Sequence, residues 1–128
     1  MNIYLAGPIF GKSDDQCKAW RNASRQLIEA AGHLAVDPMD RDYRMKEDCF
    51  IDEIVVLDKR DIDSCDALLV NANNPSWGTA MEVMYGYFQG KVICCFCGGD
   101  SISPWLSFHS SAIFHSAPDA VRWLTGTR

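Results

Sequence analysis

Two alternating patterns constrain what this chain can fold into. Short apolar runs closed by Gly, Pro, Asn or Asp take turns with longer segments whose apolar residues recur at helical spacing. Asn2–Ala6 (NIYLA) reads as a strand ended by Gly7-Pro8. Ser13-Asp14-Asp15 offers an N-cap to a helix over Gln16–Ala31, with Ala19, Trp20, Ala23, Leu27 and Ala30 as its apolar face and Gly32 as its C′ residue. His33–Val36 reads as a second strand, closed by Asp37-Pro38, and Met39–Lys46 as a polar loop. Glu47–Ser64 reads as a helix with Phe50, Ile54, Leu57 and Ile62 on one side. Asp66–Ala72, Lys91–Cys97 and Ala112–His115 are further strands, and Trp77–Gln89 and Pro118–Leu124 further helices, the last with Pro in its first turn.

Strands this short and this apolar on both faces suit a parallel sheet covered by helices. The expectation is one α/β domain over residues 1–128, an open, doubly wound, five-stranded parallel sheet of Rossmann-like type. Ligands bind such sheets beyond the carboxyl ends of the strands, near the switch point. That selects the loops Gly7–Lys12, Asp37–Arg44, Asn73–Trp77 and Gly98–Ser110.

Charge and composition remove several classes. The net charge is −5 with no basic patch, which speaks against a nucleic-acid polymer as partner. No apolar run approaches the roughly 20 residues of a membrane span, and MNIYLAGPIF has no basic segment ahead of its apolar stretch, unlike a secretory signal. Cys17, Cys49 and Cys65 are scattered, while Cys94, Cys95 and Cys97 sit in one apolar strand. Cys94 and Cys97 would point to opposite faces, so the expectation is core packing, no metal site and a reducing, cytoplasmic setting. His33 and His115 read as structural.

Four segments could carry chemistry. In Pro75-Ser76-Trp77-Gly78-Thr79-Ala80-Met81-Glu82, Ser76 is placed to cap a helix. Its hydroxyl and the amides of Gly78 and Thr79 form an anion-binding helix start, with Glu82 one turn past Gly78. A plain capped helix with an exposed Glu is the structural alternative. In the run from Tyr4 to Gly11, Gly7 and Gly11 permit close approach to a ligand, although the run is neither a GxGxxG nor a P-loop. Asp58 precedes Ile62 and Asp66 and sits unfavourably for the helix dipole, whereas Asp61 and Asp63 read as solvent-facing charges. Ser103–Ser110 (SPWLSFHS) is an apolar, aromatic loop suited to a lid or a subunit contact.

Taken in order, Ile-Tyr-Leu-Ala-Gly-Pro, the Asp58…Ile62…Asp66 spacing and Pro-Ser-Trp-Gly-Thr-Ala-Met-Glu resemble the nucleoside 2-deoxyribosyltransferase family over residues 1 to about 97. The resemblance implies a flavodoxin-like sheet and a nucleophilic Glu, which falls on Glu82. It implies a second carboxylate at Asp58 and a tyrosine at Tyr4 that steadies the nucleophile. Gly7, Pro8, Ile9, Phe10, Ser76, Gly78 and Thr79 would contact substrate. It further implies a homodimer or larger homo-oligomer with shared sites, for which Ser107–Ser110, including His109 and Ser110, is the candidate contribution from a neighbour. One departure stands out. Transferases of free nucleosides commonly carry an Asp where this chain has Ser76, and a hydroxyl accepts a phosphate that a carboxylate would repel. The family's nucleoside 5′-monophosphate N-hydrolases look like this version.

The expected activity is cleavage of the N-glycosidic bond of a nucleotide or deoxynucleoside, without metal or organic cofactor, released by water or by another base. A non-catalytic nucleotide-binding module would use the Ser76 site without needing Glu82. A redox protein would rest on Cys94 and Cys97, but that pair lies within a strand rather than at a helix start.

Overall fold

A computed structural model describes residues 1–99 and 101–127. Asp100, within the loop expected over Gly98–Ser103, lies outside the described residues. Five strands, β1 (Asn2–Ala6), β2 (Leu34–Val36), β3 (Ala67–Asn71), β4 (Val92–Phe96) and β5 (Ala112–Phe114), form one sheet in the order β2-β1-β3-β4-β5. Every pairing is parallel. This is the expected flavodoxin-like order, and its direction reverses at β1 and β3. Tyr4 sits at that reversal, in register with Val36 on one side and Leu68 on the other.

Five helices cover the sheet: α1 (Asp14–Ala30), α2 (Ile51–Ser64), α3 (Trp77–Phe88), α4 (Pro104–His109) and α5 (Ala117–Thr125). The two-residue period of the strands divides the core. Ile3, Leu5, Leu69, Cys94 and Phe96 pack with Ile28 of α1 and with Ala120, Val121 and Leu124 of α5. Tyr4, Ala6, Leu68, Val70, Ile93 and Cys95 pack on the other side with Ile62 of α2, Val83 of α3 and Leu106 of α4. Cys94 and Cys95 thus serve opposite core layers. Burial pushes the Cys94 thiol up to about 12, so it stays neutral.

Serines start four of the helices. Ser13 forms a capping box with Gln16, and Ser76, Ser103 and Ser116 accept from the amides of Thr79, Trp105 and Asp119. Each such cap contributes about 1 kcal/mol. Gly126 closes α5 in the left-handed conformation.

Three local expectations need correction. The buried face of α1 is Cys17, Arg21, Ser24 and Ile28, while Ala19, Ala23, Leu27 and Ala30 face solvent. Small apolar residues set a pattern, but the buried Arg21 sets the orientation. The helix expected over Glu47–Ser64 is interrupted: Glu47–Cys49 is a 3-10 turn, Phe50 leaves helical geometry, and α2 begins at Ile51. Ser103–Ser110 is not a loop, because Ser103 caps a short helix that Pro104 can open without losing a hydrogen bond.

Candidate active site

Three side chains converge on the α2/α3 face of the sheet at its switch point. Tyr4 is fully buried, and its hydroxyl donates to the Glu82 carboxylate. Glu82 reaches it because α3 packs close to the sheet. A Cβ on Gly86 would stand 2.9 Å from Leu68 Cδ1 and 3.3 Å from Ile93 Cδ1, so the helix lies within van der Waals reach of the sheet's side chains there. Asp58 enters from the middle of α2 and is half-buried. The side chain at position 41, in the segment after β2, completes the group. Arg41 Nη2 lies 3.3 Å from Asp58 Oδ1 and 2.7 Å from Asp61 Oδ2.

The electrostatics follow from burial. Loss of solvent pushes Glu82 up to about 8; the Tyr4 hydroxyl pulls it down, the Asp58 charge pushes it up, and Arg21 pulls it down. Loss of solvent also pushes Asp58 up to about 6, against the pull of Arg41, with Asp61 adding to the rise. Tyr4 is held well above its ordinary range, by burial first and then by the Glu82 and Asp58 charges, so it remains a donor. The two carboxyl groups therefore titrate as a pair that holds one proton near neutral pH.

A buried cation lies on the other side of β1. Arg21 is fully buried and donates to the carbonyls of Cys17 and Gly7, both at 2.9 Å, with its Nε 3.3 Å from Asp37 Oδ1. Asp37 also accepts from the Met39 amide at 2.9 Å. Arg21 thereby ties α1 to the backbone just past Tyr4. Gly7 is needed here for packing: a Cβ would meet Trp20 Cζ2 at 2.5 Å. Pro8 is buried, Ile9 half-buried, and Phe10 exposed at the rim of a cavity of about 720 Å³ with Lys12, Arg44 and Lys46.

Several of the remaining expected residues line a cavity beside α3. Ser76, Thr79 and His109 line a cavity of about 750 Å³ between α3 and α4, whose walls include Ala80, Met84 and Leu106. Tyr4, Asp58 and Glu82 are not part of that lining. The Thr79 amide, expected to be free for an anion, is used within the cap, 3.3 Å from Ser76 Oγ. Gly78 stays open, with nothing within 4 Å of where a Cβ would be. His109 is buried, its Nδ1 2.6 Å from the Trp105 carbonyl, and its ring is stacked with that of Trp105. Since a carbonyl only accepts, Nδ1 carries the proton and Nε2 is the basic nitrogen. Ser110 is turned inward, donating to the Leu106 carbonyl at 2.5 Å and lying 3.1 Å from Cys95 Sγ.

Arg41, Asp61 and the Arg21–Asp37 pair were not singled out from the sequence. Asp61 is not a solvated charge but the closer partner of Arg41. A usable signal existed: Asp58 and Asp61 are three apart on one helix, so they share a face, and two adjacent carboxylates call for a cation.

Architecture and site define a doubly wound α/β protein with an ionisable cluster at the switch point of its central strands, the ligand-handling region of this class. The sequence model of the nucleoside 2-deoxyribosyltransferase family matches residues 3–102, and the chain belongs to that family. It is therefore an enzyme of the glycosyl-transferring, N-glycosidase class. Among solved structures, a 2-deoxyribosyltransferase from Bacillus psychrosaccharolyticus is similar with a TM-score of 0.78 and 22% identity, covering 94% of this chain and 90% of that one. A 2-deoxyribosyltransferase from Leishmania mexicana gives 0.75 and 22%, covering 98% and 97%. The CMP N-glycosidase BcmB of Clostridium botulinum gives 0.66 and 17%, covering 97% and 98%. At these identities the structures speak for the shared fold. No curated protein matches the sequence.

Proposed function

We propose that this chain cleaves the N-glycosidic bond of a (deoxy)nucleoside 5′-monophosphate, with Glu82 as nucleophile and water as final acceptor. One observation carries the reading: a half-buried Glu82 carboxylate takes a hydrogen bond from the buried Tyr4 hydroxyl, with a second carboxylate, Asp58, close enough to share one proton with it. The reactive form is the one in which the pair's single proton sits on Asp58, and in the first step the Glu82 carboxylate of that form donates an electron pair to C1′. The bond from C1′ to the base nitrogen breaks, and the leaving base takes the proton of Asp58. In the second step water attacks C1′, Glu82 leaves, and the water proton returns to Asp58. Tyr4 supports the anionic Glu82 by donating to it.

Ser76 is why the phosphate is assigned. A neutral hydroxyl and the Gly78 amide at a helix start accept a dianion without like-charge repulsion. The similarity to a CMP N-glycosidase is compatible with that choice. Transfer to a second base on free deoxynucleosides is the alternative, favoured by the two transferases of similar structure. A homodimer is part of the proposal. Trp77, Met81, Phe88, Trp105 and Phe108 expose large apolar surfaces on α3 and α4, and a second copy would cover them while bringing its His109 region near the partner's site.

The test is base release from dCMP, dGMP, dTMP and dAMP and the matching deoxynucleosides, with and without added free base. Release from monophosphates alone is expected, and Glu82→Gln should lower it at least about 1,000-fold. Full activity in Glu82→Gln would overturn the mechanism. Ser76→Asp should impair monophosphate turnover selectively, and equal loss on nucleosides would sink the phosphate assignment.

A further inference from the structure

We propose that Arg41 and Asp61 are positioning residues for Asp58: Arg41 is held by Asp61 and, from that hold, fixes the rotamer and proton affinity of the Asp58 carboxyl. The inference rests on the reading of Asp58 as proton donor to the leaving base. Its geometric basis is independent of that reading. Arg41 reaches both carboxylates with one nitrogen, Nη2, at 2.7 Å from Asp61 and 3.3 Å from Asp58. All three side chains are shielded, 30% exposed for Arg41, 23% for Asp58 and 19% for Asp61. Arg41 directly follows the short turn Pro38–Asp40, whose Asp37 cap is locked to the buried Arg21. The guanidinium is therefore anchored at its backbone end as well as at its tip.

The asymmetry of the contact matters. A guanidinium centred on Asp58 would hold that carboxyl ionised and remove its proton-donating role. Asp61 takes the closer share of the cation, and its own charge disfavours a second charge at Asp58. Asp58 is thus oriented by Arg41 without being fully deprotonated by it. The other groups that face Asp58 are Glu82 from α3, Tyr4 from β1, Arg21 from α1 and Tyr43 from the segment after β2. None of them touches both Asp58 and Asp61, so the balance between these two belongs to Arg41.

The two partners should act in opposite directions. In Arg41→Gln, Asp58 loses its cation and its pKa rises. In Asp61→Asn, Arg41 is released to Asp58 and its pKa falls. Each is measured in two ways: ¹³C NMR titration of labelled aspartates in the free protein, and the pH dependence of kcat for whichever of dCMP, dGMP, dTMP and dAMP is turned over fastest. The Asp58 resonance and the acid limb, the one near pH 6, should move up by about one pH unit in Arg41→Gln and down by about half a unit in Asp61→Asn. Arg41→Lys, which keeps the charge, should restore most of the wild-type limb and guards against a variant that fails to fold. Shifts of the same sign, or none, in the NMR titration would overturn the proposal while leaving the proposed function standing. If instead the NMR shifts appear but the kcat profile ignores them, Asp58 is not the proton donor, and it is the underlying reading that fails.

Discussion

Replacing Glu82 by Gln should stabilise the protein, and by an amount that grows with pH. The native Glu82 pKa is about 8 against an ordinary 4.5, with loss of solvent as the largest cause. The unfolded chain therefore ionises this group over a pH range in which the folded chain keeps it protonated. A folded pKa raised above the unfolded one gives stability that is complete below the unfolded value and lost as pH rises through the folded value. The lost amount is about 1 kcal/mol at pH 5, about 3 at pH 7 and about 5 at pH 9. Glutamine keeps the shape and still accepts from Tyr4, but it has no such titration. The Asp58 contribution is present in both proteins and largely cancels. Urea unfolding followed by far-UV circular dichroism at these three pH values checks the difference directly. The gap between variant and wild type should widen by about 4 kcal/mol from pH 5 to pH 9 in the variant's favour. A gap that stays constant across that range would show that Glu82 is not desolvated, and the account of its proton affinity would be wrong.

Three further outcomes are expected. The kcat/KM profile should be bell-shaped with limbs near pH 6 and 8, set by the coupled Asp58 and Glu82 pair, and a flat profile from pH 5 to 9 would contradict it. Tyr4→Phe removes the donor that pulls Glu82 down, so the alkaline limb near pH 8 should move to higher pH, and activity at pH 7 should fall roughly tenfold or more as the shared proton is held more tightly on Glu82; an unmoved limb would show that Tyr4 does not act on Glu82. Gly7→Ala drives a methyl into Trp20 at 2.5 Å and should lower the unfolding free energy from urea melts by about 2–3 kcal/mol with ligand affinity little changed; the reverse split would show that Gly7 serves ligand contact rather than packing.

The strands and most helices were legible because a parallel sheet repeats one local pattern, apolar run then helical period, whose signal lies within each segment. Tyr4, Asp58 and Glu82 could be named because the short motifs around them, taken in order, resemble the pattern of the family. The misread parts have non-local causes. Arg21 is buried because of Asp37, sixteen residues away, and the backbone carbonyls past β1, so a pattern of alanines on α1 pointed the wrong way. The helix at Pro104–His109 is only six residues long, too short for periodicity to reveal.

Tyr4 and Glu82 are joined by a hydrogen bond across 78 positions of sequence, with Asp58 supplied by a helix in between. The site is therefore written across three successive strand-to-helix units and exists in none of them alone. Its assembly requires closing long loops, which is the slow part of folding for a parallel sheet. Secondary structure can return early in refolding while the carboxylate pair is still unformed. Catalytic competence should then recover with the last tertiary signal and never ahead of it, which makes turnover itself a reporter of the final docking of α2 and α3 onto β1.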